Sequence, residues 1–397
     1  MSKTVCNAIS HGLCVTAWGG LTPCCATNED FSHLTVDNNI VNYWHNNERL
    51  NQARKTEEKI WQPECTGCAR KENQGIIHRK QKLNTWYPDV DSEFTKNNPN
   101  DIIHLDISFG NTCSQQCIMC NSNYSSKWLS DDVQLKQTFP GNTSLRPWNE
   151  IRLKNWSISY ENLKEIAELI SEKTRTVEIK GGEPLYDKRF EYFIDLVLDK
   201  NPNVKFNTNT NGMHFTDKNI EMLNRIKKIN VDVSVDGTGI FYEWIRSSKW
   251  EDFLSNWHNA MQKINHNLNI NFTSSVYNID KIQSMYEFVE ETYNTYGYFG
   301  TLNFTQIATS PKYQEPKYAN KNRIEEGIRQ IEIIEKDPAN IFVGKSRFYF
   351  DKLTALKKYL INCLDFEVSD SEYEKFLKDH NAMVQVRGWD IRDYTNL

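Results

Sequence analysis

From residue 102 the chain alternates between short β-rich runs and helical stretches, and this alternation limits what it can fold into. The runs are 102–110 (IIHLDISFG), 176–182 (TVEIKGG), 204–212 (VKFNTNTNG), 230–237 (NVDVSVDG), 268–276 (LNINFTSSV) and 301–307 (TLNFTQI). Between them, 161–173, 187–200 and 217–228 repeat apolar residues at helical spacing. In the first of these, Leu163, Ile166, Ala167 and Ile170 share one face. Strands joined by crossover helices lie parallel in one sheet. The pattern predicts an α/β fold, a partial (β/α)6 barrel over 102–310, with functional groups at the C-terminal ends of its strands. Residues 311–397 turn helical and charged and read as a C-terminal extension. Residues 88–101 are polar, hold two prolines and read as a linker. Residues 1–87 form a small Cys-rich region, in which 40–60 predicts one amphipathic helix.

The chain has ten cysteines: Cys6, Cys14, Cys24, Cys25, Cys65, Cys68, Cys113, Cys117, Cys120 and Cys363. Disulfide frameworks suit small secreted domains. This sequence opens MSKTVCNAISHGLC, without the apolar core of an export signal, and predicts a reduced, cytoplasmic protein. Cys113, Cys117 and Cys120 directly follow the first β run. A structural zinc needs four protein ligands, and no fourth Cys or His lies nearby in sequence. Three thiolates suit three irons of a [4Fe–4S] cluster and leave one iron open. Cys6, Cys24, Cys65 and Cys68 make a second set. Four thiolates close either a zinc site or a fully ligated cluster, and spacing alone favours zinc. Cys14 and Cys25 read as packed thiols, either able to exchange with Cys24, and Cys363 as a small apolar residue. His11, His45 and His78 are ligands in principle, but packed or solvated histidines are the simpler account.

The CxxxCxxC spacing after the first strand resembles the radical S-adenosylmethionine (radical SAM) superfamily. In that superfamily the open iron chelates the amino and carboxylate groups of SAM, and the reduced cluster cleaves it to a 5′-deoxyadenosyl radical. The resemblance implies that Gly181, Gly182, Glu183 and Pro184 contact SAM. The residue chemistry agrees: two glycines admit a close ligand, and a carboxylate pairs with an ammonium. It likewise places Asn209, in NTNTNG, and Ser234, in SVDG, at SAM. Asp236, Ser274 and Ser275 are weaker candidates, with turn chemistry as the alternative. Arg246, in WIRSSKW, reads as a carboxylate partner for SAM or substrate, or as a surface ion pair. An insertion near 130–156 carries Trp148 and Trp156 and reads as a substrate lid or a packed surface loop. The first 87 residues, with the GLTPCC hairpin, YWHNNERLNQAR and the closing CxxC, are similar to the auxiliary-cluster module called SPASM, or its short form, twitch. This implies a second, auxiliary [4Fe–4S] cluster on Cys6, Cys24, Cys65 and Cys68, with Cys24 chosen over Cys25 by motif position. The module here precedes the barrel instead of following it.

With 47 Lys plus Arg against 52 Asp plus Glu, the formal charge is −5, which excludes a nucleic-acid-coating protein by bulk charge. No apolar run approaches the ~18 residues of a membrane span. No nucleic-acid or membrane partner is therefore expected. The resemblance implies an oxidoreductase-type enzyme that modifies a peptide or protein side chain, with a one-electron reductant such as flavodoxin or ferredoxin as partner. Two alternatives stand beside it: radical oxidation or rearrangement of a small-molecule metabolite such as a sugar or nucleotide, and a non-catalytic iron–sulfur or zinc-binding protein.

Overall fold

The computed structural model describes residues 6–27, 29–34, 39–55, 63–73, 79–138, 156–297, 300–309, 311–337 and 347–394. Trp148 and His78 lie outside the described residues. The chain divides into two compact units. The first is Met1–Thr112, Lys154–Thr208 and Arg225–Ile229; the second is Cys113–Leu153, Asn209–Asn224 and Asn230–Leu397. The fold is mixed α/β with a partly open sheet, and no described helix is long and apolar enough to cross a membrane.

In the first unit the strands are β1 (Gly12–Val15), β2 (Gly20–Thr22), β3 (Ser32–His33), β4 (His104–Ser108), β5 (Thr176–Lys180) and β6 (Lys205–Thr210). The order is β3-β2-β1-β4-β5-β6. β1 runs parallel to β4, and β4, β5 and β6 are parallel to one another. β2 joins β1 and β3 through antiparallel pairs. Leu105, Ile107, Val177 and Ile179 occupy one face and are fully buried. Just past β4, Phe109 packs edge-on against Phe190 and Phe193 of helix Arg189–Lys200, with ring centroids 6.3 and 5.8 Å away. Alternation puts polar groups on the other face. Register aligns Cys14 with Asp106, Asp106 with Glu178, and Glu178 with Asn207, a polar row across four strands.

The second unit carries β7 (Ile229–Ser234, whose first residue closes the first unit), β8 (Leu268–Ser274) and β9 (Leu302–Ile307), all parallel. Helix Trp250–Lys263 buries Phe253, Trp257, Ala260 and Met261, spaced at i, i+4, i+7 and i+8 as a one-sided helix requires. Trp250, Phe253 and Trp257 stack in series at 5.1 and 6.0 Å. The extension contains helices Lys321–Lys336, Arg347–Leu364 and Asp370–Arg387. A Ser369–Glu372 capping box opens the last helix, and Gly388, at φ 72°, ends it.

All six expected β runs form strands. Two local expectations change. Residues 40–60 do not give one helix: Ile40–Asn46 and Glu48–Lys55 are separated at Asn47, whose backbone is extended. The Asn47 side chain accepts a hydrogen bond from Leu50 N at 2.9 Å, so it caps a new helix where a continuous one was expected. The supposed linker contains helix Ser92–Asn97, capped by Asp91 through Phe94 N at 2.8 Å. Val90 before it is buried in an apolar cluster with Ala8, Leu83, Tyr87 and Ile103.

Phe253 sits between two stacked neighbours and is fully buried. Phe253→Ala should cost about 3–5 kcal/mol, read as a lower urea midpoint at unchanged m-value. A loss under ~1 kcal/mol would show that this stack is not the core of the second unit.

Candidate functional site

The three-cysteine loop lies in the second unit, and several elements fix its backbone. Cys113 N donates to Ser126 Oγ at 3.3 Å. Ser125 Oγ donates to Gln115 O at 2.6 Å, and Gln115 Nε2 donates to the buried Tyr242 hydroxyl at 2.9 Å. Trp128 Nε1 donates to Cys117 O at 3.0 Å. Ile118 N donates to Ile245 O at 2.9 Å, and Gln314 Nε2 donates to Ile118 O at 3.0 Å. Cys117 is buried and Cys113 and Cys120 are half-buried. Among the described residues no cysteine forms a disulfide.

Beside this loop lies a buried ion pair. Arg246, the last residue of helix Gly239–Arg246, places Nη2 2.5 Å from Asp236 Oδ2. Its Nη1 donates to Cys117 Sγ at 3.5 Å. The Arg246 side chain is 11% exposed and that of Asp236 0%, so this is not a surface ion pair. Thr273 N donates to Asp236 Oδ1 at 2.7 Å, tying the carboxylate to β8. Burial opposes the Arg246 charge, but Asp236 and Cys117 outweigh it and raise the pKa further. Burial also pushes the Asp236 carboxyl up, and the guanidinium and the Thr273 amide oppose that push. A fixed positive charge thus sits beside the Cys117 thiol with little surface exposure to dilute it.

Other expected groups in this unit divide. Asn209 is exposed near the end of β6 and Ser234 half-buried at the end of β7. Ser274 and Ser275 are fully buried. Ser275 N and Oγ both donate to Asn278 Oδ1, at 2.7 and 3.2 Å, so this residue is turn chemistry. Cys363 is 5% exposed, a packed thiol.

In the first unit, Gly181 and Gly182 adopt φ of 79° and 55°, which disfavour any Cβ. A Cβ on Gly182 would lie 2.1 Å from Thr112 O, and one on Gly181 2.4 Å from the Ser108 Cβ. Glu183 N donates to Thr112 O at 2.8 Å. The turn is therefore moulded onto the residue that immediately precedes Cys113. Glu183 is 1% exposed, and its Oε1 accepts from Leu185 N at 3.0 Å while Pro184 starts the short 3-10 turn that follows. This carboxylate caps that turn.

The N-terminal thiols also lie in the first unit. Cys6 and Cys24 border the same apolar cluster. Burial pushes the Cys6 thiol up, and Cys68 adds to that push, which places the two thiols in one electrostatic neighbourhood. Cys14 is buried on β1, and burial raises its thiol well above the ordinary range. Cys25 is exposed, not packed; a hydrogen bond with Cys24 raises its pKa. His11 is fully buried, with Nδ1 2.9 Å from Asp101 O and Nε2 3.0 Å from Thr95 Oγ1. It is a packed histidine, and His45 is an exposed one.

Sequence reasoning missed a charged network on the polar face of this sheet. Lys180 Nζ lies 3.0 Å from Asp106 Oδ2 and 2.9 Å from Glu178 Oε1. Arg79 Nη2 lies 3.1 Å from Glu178 Oε2 and 2.9 Å from His104 Nε2. The Tyr87 hydroxyl is 3.0 Å from His104 Nδ1. Burial alone would raise the Glu178 carboxyl, but His104, Lys180 and Arg79 hold it well below the usual carboxylate range. Burial opposes the Arg79 charge too, and Cys25, Glu178, Cys24 and Asp106 overcome it. The network therefore reaches the Cys24–Cys25 doublet. Donor atoms of His104, Asp106 and Glu178 lie within 4.8 Å of one another. Two cations already neutralise the two carboxylates, so the group is an ion-pair network. The signal was available: HLDIS and TVEIK carry charge where buried parallel strands usually run apolar.

Residues 107–289 match the family described as the Radical SAM superfamily. No curated protein matches the sequence. Among solved structures, native anSMEcpe with bound AdoMet is 15% identical, with 58% of this chain and 59% of that chain covered and a TM-score of 0.42. Streptococcus suis SuiB bound to precursor peptide SuiA is 11% identical, with 82% and 68% covered and a TM-score of 0.42. TYW1 with a lysine-pyruvate adduct bound is 16% identical, with 58% and 72% covered and a TM-score of 0.32. The chain thus spans about three fifths of the length of anSMEcpe.

Glu178 gives a pH test. Its folded pKa is depressed, so its stabilisation is complete above the unfolded carboxylate value of ~4.3 and fades as pH falls through the folded value. Near neutral pH, Glu178→Gln should lose about 3–5 kcal/mol, because Arg79 and Lys180 lose a buried counter-charge. The gap between the two proteins should close in acid. Urea midpoints across a pH series check this; a gap that stays constant below pH ~4 would count against the network.

Proposed function

We propose that this chain is a radical SAM enzyme with two iron–sulfur clusters. The observation that carries the reading is the Cys113–Cys120 loop, with its buried guanidinium 3.5 Å from Cys117 Sγ. Three thiolates around iron form an anionic centre, and a fixed positive charge in a dry site favours such a centre strongly. The donor set fits three irons with one position open. Cys113, Cys117 and Cys120 would hold the first cluster. Gly181, Gly182, Glu183 and Pro184, with Asn209 and Ser234, would bind SAM; Gly181 and Gly182 hold backbone angles that leave the turn without side chains.

Cys6, Cys24, Cys65 and Cys68 would hold an auxiliary cluster within residues 1–87, followed by a connecting segment at 88–101, the barrel over 102–310 and the extension over 311–397. The shared surroundings of Cys6 and Cys24, and of Cys6 and Cys68, support this set. Arg79 beside the Cys24–Cys25 doublet would compensate its charge as Arg246 does at Cys117. When bound, the first cluster supplies the electron that cleaves SAM and the second an electron route, which suits a net oxidation. The substrate class that fits an auxiliary module of this kind is a peptide or protein side chain, with a flavodoxin- or ferredoxin-type reductant.

Anaerobic reconstitution should give about eight irons per chain. Dithionite plus SAM should then yield 5′-deoxyadenosine. Cys117→Ala should abolish that product, whereas Cys65→Ala should keep it and lose about half the iron. Stoichiometric zinc, or iron near four in the unmodified protein, would sink the two-cluster reading. Undiminished 5′-deoxyadenosine from Cys117→Ala would sink the assignment of the loop.

A further inference from the structure

Gln116 lies between the first two ligands of the loop, and every polar group it has is engaged. Its N donates to Ser247 Oγ at 2.8 Å. Its Nε2 donates to Lys127 O at 3.2 Å and to the Asp131 carboxylate. Its Oε1 accepts from Arg387 Nη1 at 3.2 Å, and its carbonyl accepts from Arg387 Nη2. Arg387 is the last residue of helix Asp370–Arg387, far beyond the residues that match the family. Its Nε donates to Trp244 O at 3.0 Å, and its guanidinium lies 5.9 Å from the centre of the Trp128 ring. Trp128 holds Cys117 O, and the residues after Trp244 supply Ile245 O to Ile118 N and Arg246 to Cys117 Sγ. One side chain therefore touches the loop itself and two elements that position Cys117.

We propose that Arg387 is a positioning residue: a clasp from the C-terminal extension that fixes the Cys113–Cys120 loop in its ligating shape. The proposal rests on the reading of that loop as a cluster site. Its physical basis is the rigid guanidinium fork, with donors at fixed angles that bridge a main-chain carbonyl, a side-chain amide and a second helix at once. Lysine carries the charge but lacks the fork. A cavity of about 510 Å³ opens beside the clasp, bounded in part by Gln116, Lys127, Ser247, Arg387 and Trp389. Truncating Arg387 thus leaves room for water and not a dry void, and the chain should still fold.

The test compares unmodified protein with Arg387→Ala, Arg387→Lys and Gln116→Met, all iron-free. Amide hydrogen exchange over 113–120 and the alkylation rate of Cys117 by iodoacetamide are followed by mass spectrometry. Arg387→Ala should speed both about tenfold while exchange in helix Trp250–Lys263 stays unchanged. Arg387→Lys should recover less than half of that loss, and Gln116→Met, which keeps the main-chain bond, should fall between. Rates within about twofold of the unmodified protein for Arg387→Ala, or full rescue by lysine, would overturn the proposal. If Arg387→Ala does not fold, Gln116→Met carries the same test, with unchanged rates overturning it. These readouts need no cluster. Unmodified protein that takes up no iron would refute the functional reading and leave the clasp standing, and normal iron uptake with unchanged exchange would do the reverse.

Discussion

A guanidinium placed in a dry interior needs a counter-charge, or it unfolds whatever surrounds it. Asp236 supplies that charge to Arg246, and much of the second unit's site follows from the pair. Asp236 is fixed by the Thr273 amide, and its carbonyl accepts from Asn278 at 2.8 Å, so β7, β8 and the turn after β8 are locked together at one point. The arginine then has one direction left, toward Cys117. One residue earlier in the same helix, Ile245 O receives Ile118 N. Helix Gly239–Arg246 therefore fixes both the thiol and the backbone of the loop. Removing either charge would leave the other buried, which is why such pairs are retained even where an apolar pair would be as stable.

The fold was legible because its signal is periodic. Six β runs between helices need only alternation and length to be found, and Leu163, Ile166 and Ala167 mark their helix face without any tertiary information. The cysteine trio was legible because its spacing is short and local. The breaks were harder. Asn47 ends one helix and caps the next, a choice made by a side-chain hydrogen bond that periodicity does not register. Asp91 opens a helix inside a segment whose prolines and polar residues read as a linker, and its hydrogen bond from Phe94 N is not visible in composition.

The cysteines of the loop were legible in the sequence, and the side chains that hold their backbone were not. Arg246 was visible as a partner for a carboxylate, but whether it faced water depended on Asp236 being buried beside it. Arg387 was beyond reach: 271 residues separate it from Gln116, and nothing local marks one arginine among many at a helix end. Contacts of that span are made by packing the extension, so they belong to the fold and not to any motif.

The first unit sets the opposite problem, charge where none was expected. A parallel sheet usually buries apolar side chains on both faces. Here one face carries Cys14, Asp106, Glu178 and Asn207 in register, with Lys180 and Arg79 among them. His104, Asp106 and Glu178 approach closely enough to ligate an ion. A divalent cation would have to displace an ammonium at 3.0 Å and a guanidinium at 3.1 Å, and then leave both unpaired in a mostly buried place. That exchange costs more than the ion returns. The group is therefore an ion-pair network, and Cys24 and Cys25 lie close enough to it to support the Arg79 charge.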